Sequence, residues 1–325
     1  MARKKHNTNT LPLYILLVVL FVVYITMQSI VFISYLAGIA IFLLIIGIII
    51  LEVTNSTKGG MIKRDIIELV LMVALVLIAW VVIKYALGTN YPIDVVPSCS
   101  MLPTFHRGDI ILIRGLNSPT TINAPIVNVS ASSYNAMLSN IGNEFLSCVA
   151  YTQNGSSATI SQEYHTGDTI GLYKYSPYGG SIVSNSSQSG NLVRFICGTT
   201  PVKTSTGQIE YAATKAIIIG NTVITGDQNN TPIVYSTVPS DLFYKEGDSF
   251  IVHRVYAIIN ASGKYYTLTK GDNNPGLDMQ YGNYPANLSQ VQGKVILDIP
   301  YLGYLKLVLS DQLGQPAGCN TTMIN

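Results

Sequence analysis

The stretch that decides the fold is Phe250-Ile-Val-His-Arg-Val-Tyr-Ala-Ile-Ile259, followed at once by Asn260-Ala-Ser-Gly263 and Lys264-Tyr-Tyr-Thr-Leu-Thr269. β-Branched and aromatic residues dominate the two outer segments, which is typical of strands. The Asn, Ser and Gly residues between them are typical of a turn. Together these features predict an antiparallel hairpin. If residues 260–263 form its loop, residue 253 lies opposite residue 270.

Short runs of the same kind recur from residue 88 onward, separated by clusters of Gly, Asn, Asp, Ser and Pro. They predict a mainly β domain. The segment 116–248 is poor in charge and rich in Asn, Ser, Thr and Tyr, and it is interpreted as a large β-rich insertion or second lobe. The expected organisation is a β domain formed by residues 88–115 and 249–310, the inserted lobe 116–248, and a C-terminal tail 311–325.

The segment before residue 88 is much more apolar than the rest. The chain of 325 residues is 48% hydrophobic but only 11% charged, whereas charged residues make up about a quarter of an ordinary soluble domain. Three apolar runs, about 11–28, 30–53 and 66–87, are each close to the roughly 20 residues that a helix needs to cross a bilayer. The sequence therefore predicts a membrane anchor of three transmembrane helices at 1–87. One long kinked span in place of the first two is the alternative.

Basic residues flank the apolar runs and orient them. Arg3, Lys4 and Lys5 precede the first run, and Lys58, Lys63 and Arg64 fall between the second and the third. Positively charged flanks stay in the cytoplasm, so three spans leave both basic segments there and place the β domain outside. The sequence therefore predicts a multi-pass protein of the cell membrane with an extracytoplasmic β domain.

Charge, cysteines and histidines argue against several other classes of protein. The net charge of +2 comes without a clustered basic stripe, which argues against nucleic acid as a partner. The four cysteines lack CxxC spacing and the four histidines lack metal-ligand intervals, so no metal is expected. A disulfide between Cys148 and Cys197 is one option outside the cytoplasm. Cys99 is interpreted as a packed thiol.

A Ser-rich segment, Pro97-Ser-Cys-Ser-Met-Leu-Pro-Thr-Phe-His-Arg-Gly-Asp109, stands directly before a predicted strand. It offers Ser98, Cys99 and Ser100 as neighbouring nucleophile candidates. A serine nucleophile needs a base that is neutral near pH 7, as imidazole is without a large pKa shift. The predicted hairpin carries an imidazole at His253. The structural alternative is a Ser/Pro-rich turn and a strand histidine without a catalytic role.

The segment Lys270-Gly-Asp-Asn-Asn-Pro-Gly-Leu-Asp278 supplies two candidate acids after the hairpin. In the predicted register, Asp272 is a same-face diagonal neighbour of His253. Asp278 lies on the excursion that follows the strand and can fold back. Asp and Asn also favour turns of the Asx type, so a purely structural turn is the alternative. A similar segment, Gly226-Asp-Gln-Asn-Asn230, precedes the histidine and is interpreted as a turn.

These segments resemble, in the same order, the motifs of the signal peptidase I family. Ser100-Met-Leu-Pro-Thr104 resembles the nucleophile box, and Gly271-Asp-Asn-Asn274 resembles the acid box. His253-Arg-Val255 resembles the general-base box of the archaeal and endoplasmic-reticulum members, whereas bacterial members have lysine there. Ile299–Tyr304 and Gly167–Tyr173 resemble two further segments of the family. The rest of the inserted lobe departs from the shorter family pattern.

The resemblance implies a membrane-bound serine endopeptidase that removes signal peptides from secretory precursors. It implies Ser100 as the nucleophile, His253 as its general base, and Asp278 as the residue that orients the imidazole, with Asp272 shaping the site. The backbone N–H groups of Ser100 and Met101 are expected to stabilise the oxyanion. No cofactor is needed. The expected partners are secretory precursors with small residues before the cut, membrane lipid and the protein translocation machinery.

Two other functions are kept as alternatives. A catalytically inactive, membrane-anchored β protein of the cell envelope would use the same segments as structural turns. A Ser-Lys peptidase would use Lys270 or Lys264 as its base, and it would leave His253 without a role.

Overall fold

The structure is a computed structural model. It describes residues 11–26, 40–41, 43–45, 47–48, 51, 78, 80–141, 145–155, 157–165, 167–176, 179–183, 192–310, 312, 314, 316 and 318–324. This part of the chain is mainly β, as the sequence predicts.

The helices are α1 (Leu11–Thr26), α2 (Ala131–Ile141), α3 (Leu242–Lys245) and α4 (Tyr304–Leu309), with short 3-10 helices at Pro119–Thr121 and Asp278–Tyr281. The strands are β1 (Ile93–Val95), β2 (Ile110–Arg114), β3 (Ile126–Val129), β4 (Phe145–Asn154), β5 (Ser157–Ser161), β6 (Glu163–Tyr164), β7 (Thr169–Ser176), β8 (Gly179–Val183), β9 (Val193–Thr204), β10 (Gly207–Ile219), β11 (Thr222–Thr225), β12 (Pro232–Ser236), β13 (Phe250–Ala261), β14 (Lys264–Lys270), β15 (Ala286–Asn287), β16 (Val291–Ile299) and β17 (Thr321–Met323).

The largest sheet, named the main sheet here, has eight strands in the order β1-β2-β16-β12-β13-β14-β15, with β3 beside β13. Strand β13 is its centre, because β12 pairs with the first half of this strand and β3 pairs with the second half. Both faces of β13 are buried: Val255 and Ile258 pack with Ile233, whereas Ile259 packs in a second cluster with Leu268. Full burial of such a side chain stabilises the fold by about 1.5 to 3 kcal/mol. A functional residue on β13 therefore has a rigid support.

The hairpin of β13 and β14 has a different register from the predicted one. Its loop consists of two residues with positive φ, Ser262 and Gly263, in place of the four that the sequence suggests. This is the geometry of a tight hairpin turn. A β-bulge near the middle of β13 then shifts the pairing by one residue. As a result Arg254, and not His253, lies opposite Lys270.

Two smaller sheets form what we name the second region. One has five strands in the order β11-β10-β9-β17, with β6 beside β10, and the other has four strands in the order β5-β4-β7-β8. A disulfide between Cys148 of β4 and Cys197 of β9 joins them, which is the pairing that the sequence offered as an option. Ile217 and Ile219 of β10 share an apolar cluster with Ile259 of the main sheet. The second region is thus continuous with the core of the main sheet.

Two predicted boundaries differ from the structure. Strands β3 and β12 fall inside the predicted insertion 116–248, yet both belong to the main sheet. They cover the edge that β13 would otherwise expose, and an open apolar edge invites aggregation. The predicted tail 311–325 is not separate either, because β17 pairs with β9 and Cys319 forms a disulfide with Cys99. The interpretation of Cys99 as a free packed thiol was therefore wrong.

The predicted membrane spans fall only partly on the described residues. Helix α1 covers most of the span predicted at 11–28, and residues 80–87 are helical at the end of the span predicted at 66–87. Most of the span predicted at 30–53, and the start of the third, lie outside the described residues. Within the described residues, no helix has both the length and the apolar character to cross a bilayer. The Leu87 carbonyl accepts a hydrogen bond from the Gly115 N–H at 2.8 Å, so this helical segment ends beside β2.

Candidate active site

Ser100 lies in the loop between β1 and β2, which we name the Ser100 loop (residues 97–109). The side chains of Met101 and Phe105 anchor this loop in an apolar cluster, where they pack with Ile111 and Val234 of the main sheet. Met101 is fully buried and Phe105 nearly so. Ser100 therefore stands directly before two buried apolar side chains that fix this part of the loop.

The end of β14 holds the Ser100 loop from the other side. The Asn273 N–H donates to the Ser100 carbonyl at 2.7 Å, and the Asn273 side-chain amide donates to the Cys99 carbonyl at 3.1 Å. Gly271 allows this close approach, since a Cβ at that position would lie 2.7 Å from the Ser100 carbonyl oxygen. The Gly-Asp-Asn-Asn motif thus fixes the backbone at Ser100.

His253 links Ser100 to Asp278. Its Nε2 lies 3.0 Å from Ser100 Oγ, and its Nδ1 lies 2.8 and 2.7 Å from the two carboxylate oxygens of Asp278. Because an ionised carboxylate only accepts hydrogen bonds, Nδ1 carries the proton and the lone pair of Nε2 faces the serine hydroxyl. The structure therefore brings together three of the four predicted catalytic residues in the order nucleophile, base and acid.

Asp278 is buried and receives hydrogen bonds from several sides. The Thr269 hydroxyl donates to its Oδ2 at 2.6 Å and the Tyr235 hydroxyl donates to the same oxygen at 2.8 Å. Burial alone would raise the pKa of Asp278, but the charge and hydrogen bond of His253, then the hydrogen bonds of Thr269 and Tyr235, outweigh it and hold the pKa below its usual value. At neutral pH the group is a carboxylate held against the imidazole.

Asp272, the other predicted acid, lies with Arg254. The Arg254 guanidinium forms a fork with its carboxylate, from Nε to Oδ1 at 2.8 Å and from Nη2 to Oδ2 at 2.7 Å, and the Thr104 hydroxyl donates to Oδ2 at 2.5 Å. Successive strand residues point to opposite faces, and the one-residue register shift moves Asp272 to the face of Arg254. The prediction that it is a same-face neighbour of His253 was wrong. Asp272 ties β13 to the Ser100 loop instead.

Hydrogen-bond donors suited to an oxyanion surround Ser100. Within the described part of the chain, the backbone N–H groups of Ser100 and Met101 donate to no protein acceptor. The hydroxyl of Ser98 lies 3.2 Å from Ser100 Oγ. The sequence suggested Ser98 only as a rival nucleophile, but its position beside Ser100 makes it a third candidate donor.

A small pocket of about 60 Å³ opens beside Ser100 and His253. Its wall includes Val95 and Pro97 at the end of β1 and Val252 of β13. Strand β1 is the edge of the main sheet in the described structure, and a sheet edge offers backbone groups to an extended peptide. The edge and the pocket together suit an extended chain with a small side chain next to the nucleophile.

The lysines of the Ser-Lys alternative lie elsewhere. The Lys270 ammonium donates to the Gly271 carbonyl at 3.3 Å, and Lys264 is exposed at the tip of the hairpin. The nitrogen that contacts Ser100 Oγ is Nε2 of His253. Among the described residues, no three His, Cys, Asp or Glu side chains are arranged to hold a metal ion.

Sequence reasoning missed three residues that contact the site, and it gave a fourth, Ser98, only as a rival nucleophile. Thr269 and Tyr235 hold Asp278, Arg254 holds Asp272, and Ser98 flanks the nucleophile. Arg254 and Ser98 stand within the motifs, so their positions were a usable signal. Tyr235 had no such signal, because it lies in a segment that was assigned to the insertion.

The chain matches no protein-family model. A search of curated proteins finds no match either. Function is therefore argued from the geometry of the site.

Proposed function

We propose that this protein is a membrane-anchored serine endopeptidase of the signal peptidase I type, which removes signal peptides from secretory precursors. The observation that carries the proposal is the chain of contacts from Ser100 through His253 to Asp278. A serine hydroxyl, an imidazole and a buried carboxylate in this order activate the nucleophile in serine hydrolases on unrelated folds. The order of the sequence motifs, which resembles that of signal peptidase I, supports the narrower assignment.

In the proposed mechanism, Ser100 Oγ attacks the carbonyl carbon of the scissile peptide bond while His253 Nε2 accepts its proton. The Asp278 carboxylate stabilises the imidazolium that forms. His253 then gives the proton to the leaving amine, the C–N bond breaks, and the acyl group remains on Ser100. A water molecule that loses its proton to the same imidazole attacks this ester, releases the new carboxyl terminus and restores the serine.

Negative charge develops on the carbonyl oxygen during both steps. We assign its stabilisation to the backbone N–H groups of Ser100 and Met101, which have no protein acceptor in the described structure, and to the Ser98 hydroxyl, which lies 3.2 Å from Ser100 Oγ. Each such donor is worth about 10² to 10³ in turnover in enzymes of this kind. The apolar anchors of the Ser100 loop hold these donors in place before the substrate binds.

A membrane anchor would hold the site close to the bilayer. The chain from Leu87 to Ser100 spans at most about 3.3 to 3.6 Å per residue, and the hydrogen bond from Gly115 to Leu87 shortens the separation further. The apolar segment of a signal peptide would hold its own cleavage point at a similar height. Tethering both reactants in this way replaces a bimolecular search by a positioned encounter.

The test is processing of a membrane-presented precursor by the full-length protein. Ser100→Ala removes the nucleophile and is expected to abolish cleavage without lowering the melting temperature. Ser157→Ala changes an exposed serine on β5 and is expected to leave cleavage unchanged. Substantial cleavage by Ser100→Ala would exclude this nucleophile. If the wild type cleaves no precursor and a serine-reactive probe fails to label Ser100, the inactive alternative is favoured.

A further inference from the structure

A second cleft of about 240 Å³ lies between the main sheet and the hairpin of β9 and β10, and it shares no wall residue with the pocket at Ser100. Three basic residues on three strands line it: Lys215 of β10, Arg254 of β13 and Lys270 of β14. Arg254 and Lys270 are direct cross-strand partners, so their side chains leave the same face of the hairpin. Three positively charged residues therefore line the cleft.

The acidic residues of the cleft do not balance this charge. Asp272 forms its fork with Arg254. Asp227 accepts from the backbone N–H and the side-chain amide of Asn229, at 2.8 and 3.0 Å, and so serves its own loop. In the described structure Lys215 forms no ion pair. Two lysine residues of the wall, Lys215 and Lys270, therefore have no ion pair with a carboxylate in the described structure.

Lys270 responds to these surroundings. Burial is the main cause that lowers its pKa to about 8, and the positive charges of Lys215 and Arg254 act in the same direction, while Asp272 and Asp278 oppose it. Buried cations are disfavoured unless an anion compensates them. A bound anion would relieve this cost.

Two further wall residues have buried polar atoms without a partner. Thr200 is 2% exposed and Asn230 is 5% exposed. In the described structure, neither Thr200 Oγ1 nor Asn230 Nδ2 makes a hydrogen bond. Buried polar atoms are nearly always bonded in native proteins, so two such atoms in the wall of one cleft indicate a group that is bound there. Both atoms can act as donors, as an anion requires.

We propose that this cleft binds a small tetrahedral oxyanion, a phosphate group, held by the ammonium groups of Lys215 and Lys270 and by hydrogen bonds from Thr200 and Asn230. Hydrogen bonds between charged donors and phosphate oxygens are among the strongest in proteins. The cleft is several times larger than the roughly 30 Å³ that one water occupies in the liquid. Free phosphate and a phospholipid headgroup share this chemistry. The site is independent of the proposed peptidase activity.

The test measures binding of inorganic phosphate to the full-length protein by titration calorimetry and by the shift in melting temperature. Sodium chloride of equal ionic strength is the reference. Saturable binding is expected, with an affinity that Lys215→Met lowers about tenfold or more and that Lys264→Met, a change at an exposed lysine at the tip of the β13–β14 hairpin, leaves unchanged. Vesicles of phosphatidylcholine with and without phosphatidic acid test the headgroup as the source. Binding to either probe with this mutational pattern supports the proposal.

Thr200→Val keeps the shape of the side chain and removes the unpartnered hydroxyl. It is expected to raise the melting temperature without phosphate and to weaken phosphate binding about tenfold, so the two effects have opposite signs. If neither phosphate nor phosphatidic acid binds more tightly than the chloride reference, the cleft is not an oxyanion site. The same conclusion follows if Lys215→Met and Thr200→Val bind both probes with the affinity of the wild type.

Discussion

The main sheet and the second region use their polar residues in different ways. In the main sheet His253, Asp278 and Thr269 are buried, and their hydrogen bonds form one network that ends at Ser100. In the second region, by contrast, charged side chains meet at the surface. The side chains of His165 and Glu163, for example, are 69% and 48% exposed where they meet at 3.5 Å. Burying polar groups is costly unless all of them are bonded, so the buried, bonded network of the main sheet is the part of the molecule to which we assign the proposed chemistry.

The two regions are nevertheless joined directly beside Ser100. The disulfide from Cys99 to Cys319 ties the residue before Ser100 to the segment that leads into β17. Asn273 bridges the same parts, because its side-chain amide donates to the Cys99 and Thr321 carbonyls and its Oδ1 accepts from the Met323 N–H. The second region therefore supports the candidate site without supplying Ser100, His253 or Asp278.

The largest difference in turnover is expected between substitutions of the two histidines, one in each region. His253→Gln removes the base and is expected to lower turnover of a membrane-presented precursor by about 10⁴-fold or more. His165→Gln, at the surface of the second region, is expected to leave turnover unchanged. A loss of less than tenfold for His253→Gln, or a comparable loss for both, would remove the distinction between the regions.

The two acids of the main sheet are expected to separate catalysis from stability. Asp278→Asn leaves the tautomer of His253 unspecified and is expected to lower turnover by about 10⁴-fold. Asp272→Asn leaves the Arg254 guanidinium without its carboxylate, and breaking a buried pair in this way costs about 3 to 5 kcal/mol of unfolding free energy. Turnover and denaturant unfolding, measured on both variants, check the assignment. If Asp272→Asn is the more damaging to turnover, the orienting role belongs to Asp272.

The motifs predicted the site because each is local in the chain, whereas the features that sequence reasoning missed depend on contacts between distant segments. The register of the hairpin depends on the left-handed conformations of Ser262 and Gly263 and on one bulge. An error of one residue in the predicted register therefore placed Asp272 on the face of His253, whereas it lies on the face of Arg254. Tyr235 is 43 residues from Asp278, and their contact depends on how β12 pairs with β13.

The two disulfides are expected to have different effects on catalysis. Replacing Cys148 and Cys197 by Ala is expected to cost about 2 to 5 kcal/mol of unfolding free energy and to leave turnover nearly unchanged, because both lie in the second region. Replacing Cys99 and Cys319 is expected to cost a similar free energy and also to lower turnover about tenfold, since the Ser100 loop loses a covalent support. Turnover is measured well below the melting temperature of each variant. Equal losses of turnover would mean that the second region contributes to catalysis as directly as the Ser100 loop does.

The smallest loss of stability is expected for a substitution of Tyr235, which lies on β12, a strand of the main sheet that the sequence assigned to the insertion. Tyr235→Phe removes a hydroxyl that helps to lower the pKa of Asp278, so that pKa rises towards its usual value. A carboxyl with a lowered pKa stabilises the fold above its unfolded pKa and loses this contribution as the pH falls through the folded value. The variant is therefore expected to be about 1 to 2 kcal/mol less stable at neutral pH, and the difference is expected to shrink in acid.

Denaturant unfolding at several pH values measures this difference, and Tyr244→Phe, a change at a tyrosine that is 46% exposed, is the control. If the difference in unfolding free energy between the wild type and Tyr235→Phe stays constant down to acid pH, Tyr235 contributes to packing alone. If the difference shrinks in acid and turnover falls less than tenfold, Tyr235 is a positioning residue for Asp278.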